Sequence, residues 1–314
     1  EQTPDDVQLR RRILKYYYEP PRAEAKIKAA IPHRVWLIQN FPDQNDYDLI
    51  GWNEYFSSGK SVEYKLLKSE WLKQVEANPK NLKIRFNTVD FIDESEWRDA
   101  EKLLLQGETL FPDNFKLSAK LFELYYRLAN DSKSNEAENK LAVDIKIFRQ
   151  KAAEKGDKYL ALLKKERSRE RDSERAKILP QLAAVEFDLE MFDKVKARAT
   201  ELVLEFGDDE NDFNYGAATH EGNILLGRAA LKEGNIERAK EYLLISARAP
   251  LRQKYNTLSY PNLTLAGELL AAGEKNIVLD FLKLCENFTG TDTKSLQLWQ
   301  NEIRQGKTPD FKWY

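Results

Sequence analysis

Across 314 residues, 50 basic side chains nearly cancel 52 acidic ones, which leaves no electrostatic case for nucleic acid or an anionic membrane surface. Leu, Ala, Glu and Lys dominate, all good helix formers, and 42% hydrophobic residues suffice for a substantial core. The single cysteine, Cys285, excludes an internal disulfide framework and a thiolate zinc site, and no run approaches the roughly 18 apolar residues that a membrane helix needs.

Residues 1–63 read as an N-terminal cap, with helical stretches around Val7 to Tyr18 and Ala23 to Gln39, then the polar aromatic stretch "FPDQNDYDLIGWNEYFSSGK". The polar start at Glu1, without methionine, is read as the freshly cut end of a mature chain or of a trimmed one, which tilts the expected location toward export.

Residues 64–148 carry the first block of helices. Leu66, Leu67, Trp71 and Val75 form an apolar stripe before Pro79, and Leu103, Leu104 and Leu110 form another before Pro112. The two prolines are 33 residues apart, in the echoing stretches "ANPKN" and "FPDN", and each ends a helix because proline cannot continue one. Between them, Leu82 to Ile92 predicts one helix, "DESEW" a turn, and Ala100 onward a second. Small Thr88 precedes small Ala100 by twelve residues, and Pro112 follows by another twelve.

Residues 149–175 end in "KKERSRERDSER", whose mixed signs at helical spacing predict a solvated charged helix. Residues 176–292 return to the earlier metre. "EMFDKVKARA" supplies a turn and a helix. Gly227 precedes Ala239 by twelve residues across "KEGN", and Ala266 precedes Val278 by twelve across "AAGEKN". Gly234 and Gly273 mark the two turns. Residues 293–314 read as a capping helix and the aromatic tail "DFKWY".

This metre resembles the tetratricopeptide repeat (TPR), a helix-turn-helix of about 34 residues. Thr88 and Gly227 lie 139 residues apart, which accommodates about four such periods. The stretches "HRVWLIQNFP", "EWLKQVEANPKN", "LGRAALKEGNIERAKEYLLISARAP", "PNLTLAGELLAAGEKNIVLDFLKLCENF" and "WQNEIRQGKTPDF" are similar to a group of uncharacterised bacterial tetratricopeptide proteins. The resemblance implies an all-α fold, a right-handed α-α superhelix with flanking helices. Thr88, Ala100, Pro112, Gly227, Ala239, Ala266 and Val278 are then its small or turn positions. It further implies a concave groove lined by the first helix of each pair, with Arg85, Val89 and Ile92 in one unit and Ile224, Arg228 and Leu231 in another as partner-binding positions. Val89 and Leu231 depart from the paired Lys and Asn of repeats that clamp a terminal carboxylate.

The remaining motifs are weighed on their chemistry. "GNILLGRA" nearly spells a phosphate-binding loop, but Arg228 and Ala229 replace its lysine and hydroxyl, and no strand precedes Gly222. The simpler expectation is that Gly227 lets a neighbouring helix approach. His220 and Glu221 invite a zinc motif whose second histidine is absent, because position 224 is Ile. His33 and His220 are therefore expected at exposed or helix-end positions. Cys285 lies on the apolar face "FLKLCENF" and is expected to be buried. Three N-x-[ST] sequons occur, at Asn130, Asn262 and Asn287. No cofactor, metal or catalytic constellation is expected. The chain is read as a non-catalytic scaffold for a protein partner or, alternatively, as a self-assembling subunit. In the second reading Tyr16, Tyr17, Tyr18, Phe311, Trp313 and Tyr314 would join one copy to the next. An enzyme is the third and least supported reading.

Overall fold

The computed structural model describes residues 7–18, 24–44, 61–92, 94–130, 138–209, 214–248, 261–288 and 292–311. Among them the chain forms fourteen α-helices and no strand. In chain order these are α1 (Val7–Tyr18), α2 (Glu24–Asn40), α3 (Val62–Ala77), α4 (Leu82–Phe91), α5 (Trp97–Leu110), α6 (Phe115–Asn130) and α7 (Glu138–Lys164), followed by α8 (Arg169–Asp188), α9 (Phe192–Phe206), α10 (Tyr215–Lys232), α11 (Ile236–Ser246), α12 (Thr264–Ala271), α13 (Lys275–Cys285) and α14 (Thr293–Arg304). No helix among the described residues is long and apolar enough to cross a membrane.

Two kinds of turn recur, and each has a chemical cause. In the first, Asn78 N–H bonds Gln74 O and Asn81 N–H bonds Asn78 O, at 3.0 Å each. The same offsets return with Phe111 to Gly107 at 2.9 Å and Asn114 to Phe111 at 3.1 Å. The side chains of Asn81 and Asn114 then accept from Lys83 N and Lys116 N, at 3.0 Å each, which supplies first-turn donors with a partner. The proline echo in the sequence is therefore an echo of whole turns.

The second kind places a residue in the left-handed region after the helix. Glu190, Gly234, Gly273 and Gly306 have φ of 60°, 81°, 90° and 80°. In every case the next residue's N–H reaches five residues back: Met191 to Glu186, Asn235 to Ala230, Glu274 to Leu269, and Lys307 to Glu302, at 2.9 to 3.0 Å. This is the hydrogen-bond pattern that satisfies the last carbonyls of a helix.

The chain falls into two compact units, Glu1–Leu124 and Tyr125–Tyr314, the division lying within α6. In the first unit, Leu14, Leu37, Ile38, Tyr64, Leu67, Trp71 and Phe91 form one core. Val75, Ile84, Ile92, Ala100 and Leu103 form another. In the second unit, Ala183, Phe187, Val195, Ala199, Leu225 and Ala229 join α8, α9 and α10. A larger core joins α10 to α14 around Leu243, Leu265, Phe281, Leu282 and Trp299. Each helix there packs on the next, and α8 on α10, α10 on α12 and α11 on α13 pack as well.

The charged stretch 149–175 is not one solvated helix. It breaks between α7 and α8, where Ser168 caps α8 by accepting from Arg171 N at 3.2 Å. Ala152, Ala153, Leu160 and Leu163 are buried, and so is Arg175. The Arg175 guanidinium donates to Glu201 at 2.9 Å and Asp172 at 3.2 Å and also pairs with Glu205. Alternating charge concealed a half-buried face because two partners of Arg175, Glu201 and Glu205, lie on α9, about 30 residues downstream.

Candidate binding groove

The small positions of the metre sit inside the helix contacts. Thr88, Ala239, Ala266 and Val278 are fully buried and Ala100 nearly so, while Pro112 lies exposed in its turn. Thr88 also returns its hydroxyl to Ile84 O at 2.8 Å. Gly222 and Gly227 both lie inside α10, so no phosphate loop exists there. A Cβ on Gly227 would collide with Leu265 Cδ2 and stand 3.3 Å from Ala239 O. One on Gly222 would stand 2.5 Å from Val203 Cγ2. The two glycines admit neighbours on opposite sides of α10, and the sequence reading credited only Gly227.

His220 is a correction. It is fully buried rather than exposed. Nδ1 donates to Ser246 O at 3.0 Å, and Nε2 accepts from Asn262 N–H at 2.8 Å. That pair of bonds requires the neutral ring with its proton on Nδ1. Burial holds the ring below its ordinary value, opposed by the charge of Glu221 and by the Ser246 carbonyl. Beside it, Glu221 Oε2 accepts from Asn262 Nδ2 at 2.8 Å. Asn262 Oδ1 in turn accepts from Thr264 N at 3.0 Å, starting α12. Adjacent residues of α10 thus grip one asparagine and fix where α12 begins. His33 is half-buried, with Nδ1 3.2 Å from Arg10 Nη1.

A cavity of about 550 Å³ opens between alternate helices of the second unit. On α8, Ser173, Ala176, Lys177, Pro180, Gln181 and Ala184 line it. Their spacing of three and four residues makes a single helical stripe. Asn214, Ala217, Ala218 and Glu221 supply the facing stripe of α10. Tyr126 of α6 and Asn262 at the start of α12 complete the wall, and Leu202 of α9 lies at its base. The small side chains make the space, and the polar ones border it. Burial pushes the Tyr126 phenol above its ordinary value, and Asp188 and Glu221 add to the shift. The phenol is therefore a neutral donor and acceptor. Pro180 lies inside α8 and has no N–H to offer the carbonyl four residues back.

The six residues assigned to the groove from sequence do not line this cavity. Arg85 is 3% exposed and donates to Leu103 O at 2.9 Å and Pro79 O at 3.0 Å. Ile92 is buried in a core against which half-buried Val89 packs. Ile224 is buried, and Leu231 packs on the same core. Arg228 is held within the chain. Its Nε and Nη2 lie 3.0 and 2.8 Å from Glu268 Oε1, and its guanidinium carbon lies 3.8 Å from the Phe187 ring centre. Ile224 and Arg228 continue the stripe of Ala217 and Glu221 along α10. Phe187 of α8 and Glu268 of α12 close over that end of the stripe. A helix-interior proline inside "KILPQLAAVEF" was the signal available in the sequence for the α8 wall.

Of the terminal aromatics, Tyr16 is 60% exposed and its ring lies 5.6 Å from that of half-buried Tyr17. Phe311 packs edge-on against Trp299 of its own chain, centroids 5.5 Å apart. The Tyr18 side chain, Trp313 and Tyr314 lie outside the described residues. Cys285 is fully buried, and burial pushes its thiol far above the ordinary range. Among the described residues, no three His, Cys, Asp or Glu side chains gather as a metal site. No protein-family model matches the chain, and no curated relative matches it.

Proposed function

We propose that the chain is a helical-repeat solenoid of the tetratricopeptide type. In this reading it has no chemistry of its own and serves as a protein-interaction scaffold, seating a partner segment in the cavity bounded by α6, α8, α10 and α12. The observation that carries this is the origin of the lining. The walls come from every second helix, while the intervening helices α9 and α11 pack behind them. Stacked helix pairs produce a concave binding face in this way, and the recurring left-handed turns and nearest-neighbour packing are in keeping with such an array.

Ala184 and Ala217 are half-buried on the two facing walls, so Ala184→Trp and Ala217→Trp fill the space without cutting a hydrogen bond. Partner capture from cell extract should be lost in both variants and kept in Glu237→Ala, at an exposed position of α11. Equal capture by all three would remove the groove from the reading.

A further inference from the structure

On the side of the groove lined by α6, α10 and the start of α12, Glu221 is the one charged side chain among the described lining residues. Glu221 stands in the wall with Oε2 bound to Asn262 Nδ2, and no donor reaches its Oε1 among the described residues. Its carboxylate does not swing freely, because Asn262 is also held by His220. The Tyr126 phenol lines the same space and feels the negative charge of both Glu221 and Asp188. The small side chains Ala184, Ala217 and Ala218 leave room beside them for a long, thin group. A fixed carboxylate beside an aromatic ring suits a cation on a flexible apolar stem.

We infer that the groove selects its partner by one lysine or arginine side chain, whose cationic head pairs with Glu221 beside Tyr126. The inference rests on the groove being the binding face. It adds the chemistry of the partner, an extended peptide with a basic residue between small ones. Charge complementarity favours this over an acidic or apolar segment. Among the described residues, the one basic side chain on the lining, Lys177, belongs to α8, whereas Glu221 and the start of α12 form the opposite wall.

The test uses the full chain and immobilised octapeptide pools with Lys, Nε-acetyl-lysine, Arg, Glu, Leu or Ala fixed at the centre and Gly, Ala or Ser elsewhere. The Lys and Arg pools should be retained and the acetyl-lysine pool should not, since acetylation removes only the charge and its donors. Glu221→Gln keeps an oxygen for Asn262 and should weaken Lys and Arg retention about tenfold or more, as expected for losing a charged hydrogen bond. Glu221→Asp should recover part of it. The helical spectrum and melting curve of each variant show whether the fold is intact. Retention of the Glu, Leu or acetyl-lysine pool, abolished by Ala184→Trp but indifferent to Glu221→Gln, would overturn the cation preference and leave the groove standing. No pool retained by the wild-type chain would overturn both.

Discussion

His220 is held by both ring nitrogens, each with one role that it cannot exchange. Protonating Nε2 would turn an acceptor into a donor facing the Asn262 N–H. The unfolded chain titrates near the ordinary value, about 6.5, while burial lowers the folded value. Between those two values the unfolded chain binds more protons, so the stabilisation is complete above about pH 6.5 and is lost as pH falls below it. The slope reaches at most about 1.4 kcal/mol per pH unit. Urea midpoints measured between neutral and mildly acidic pH should fall more steeply for the wild type than for His220→Gln. That variant should be less stable at neutral pH, having lost one of two buried bonds. Parallel pH curves for the two proteins would show that another group titrates. The sequence held His220 and Glu221 side by side, but their shared partner lies about 40 residues downstream, beyond any local pattern.

Among the elements, the helix-ending turns are the best-specified features. Three of the four left-handed positions carry glycine, and the fourth carries Glu190 with φ of 60°. The hydrogen bonds around Glu190 match those around Gly234 and Gly273, so the same geometry is held at a residue whose Cβ opposes it. Glu190 is exposed, and its replacement should cost no contact in the core. Glu190→Gly is expected to stabilise the second unit by about 0.5–1 kcal/mol, the left-handed strain relieved minus the greater freedom of glycine when unfolded. Calorimetry at fixed pH checks it, and a lower midpoint would mean the Glu190 side chain contributes more than its backbone costs. These turns were legible because turn chemistry is local: Pro79, Pro112, Gly234 and Gly273 announce them in the sequence. On α10 the resemblance to the repeat pointed to Ile224, Arg228 and Leu231, whereas the described groove lining on that helix is Ala217, Ala218 and Glu221. Which part of α10 is open and which is covered was not legible, since Phe187 and Glu268 come from helices about 40 residues away on either side of Arg228.

At the scale of the molecule, the order of packing matters more than any one contact. From α7 to α14 the helices pack chiefly on their first and second neighbours in sequence. Stability in such an array is a sum of local terms, so damage at one end need not travel to the other. Trp299 of α14 is nearly buried and packs against Phe311 in the core shared with α13. Trp299→Ala should remove about 3–5 kcal/mol of local packing. Since about 1.4 kcal/mol is tenfold in an opening equilibrium, amide exchange in α13 and α14 should speed up by at least about a hundredfold. Exchange in α8 and α9, three or more helices away and joined to α14 only through intermediates, should stay within about twofold of wild type if opening is local. A uniform acceleration from α7 to α14 would instead make the second unit one cooperative block. In that case the groove between α6, α8, α10 and α12 would open and close as a whole, and a ligand bound at Glu221 would protect α14 as strongly as α10. The hydrogen-exchange map of the variant separates these two behaviours directly, because the groove helices and the terminal helices are read in the same experiment.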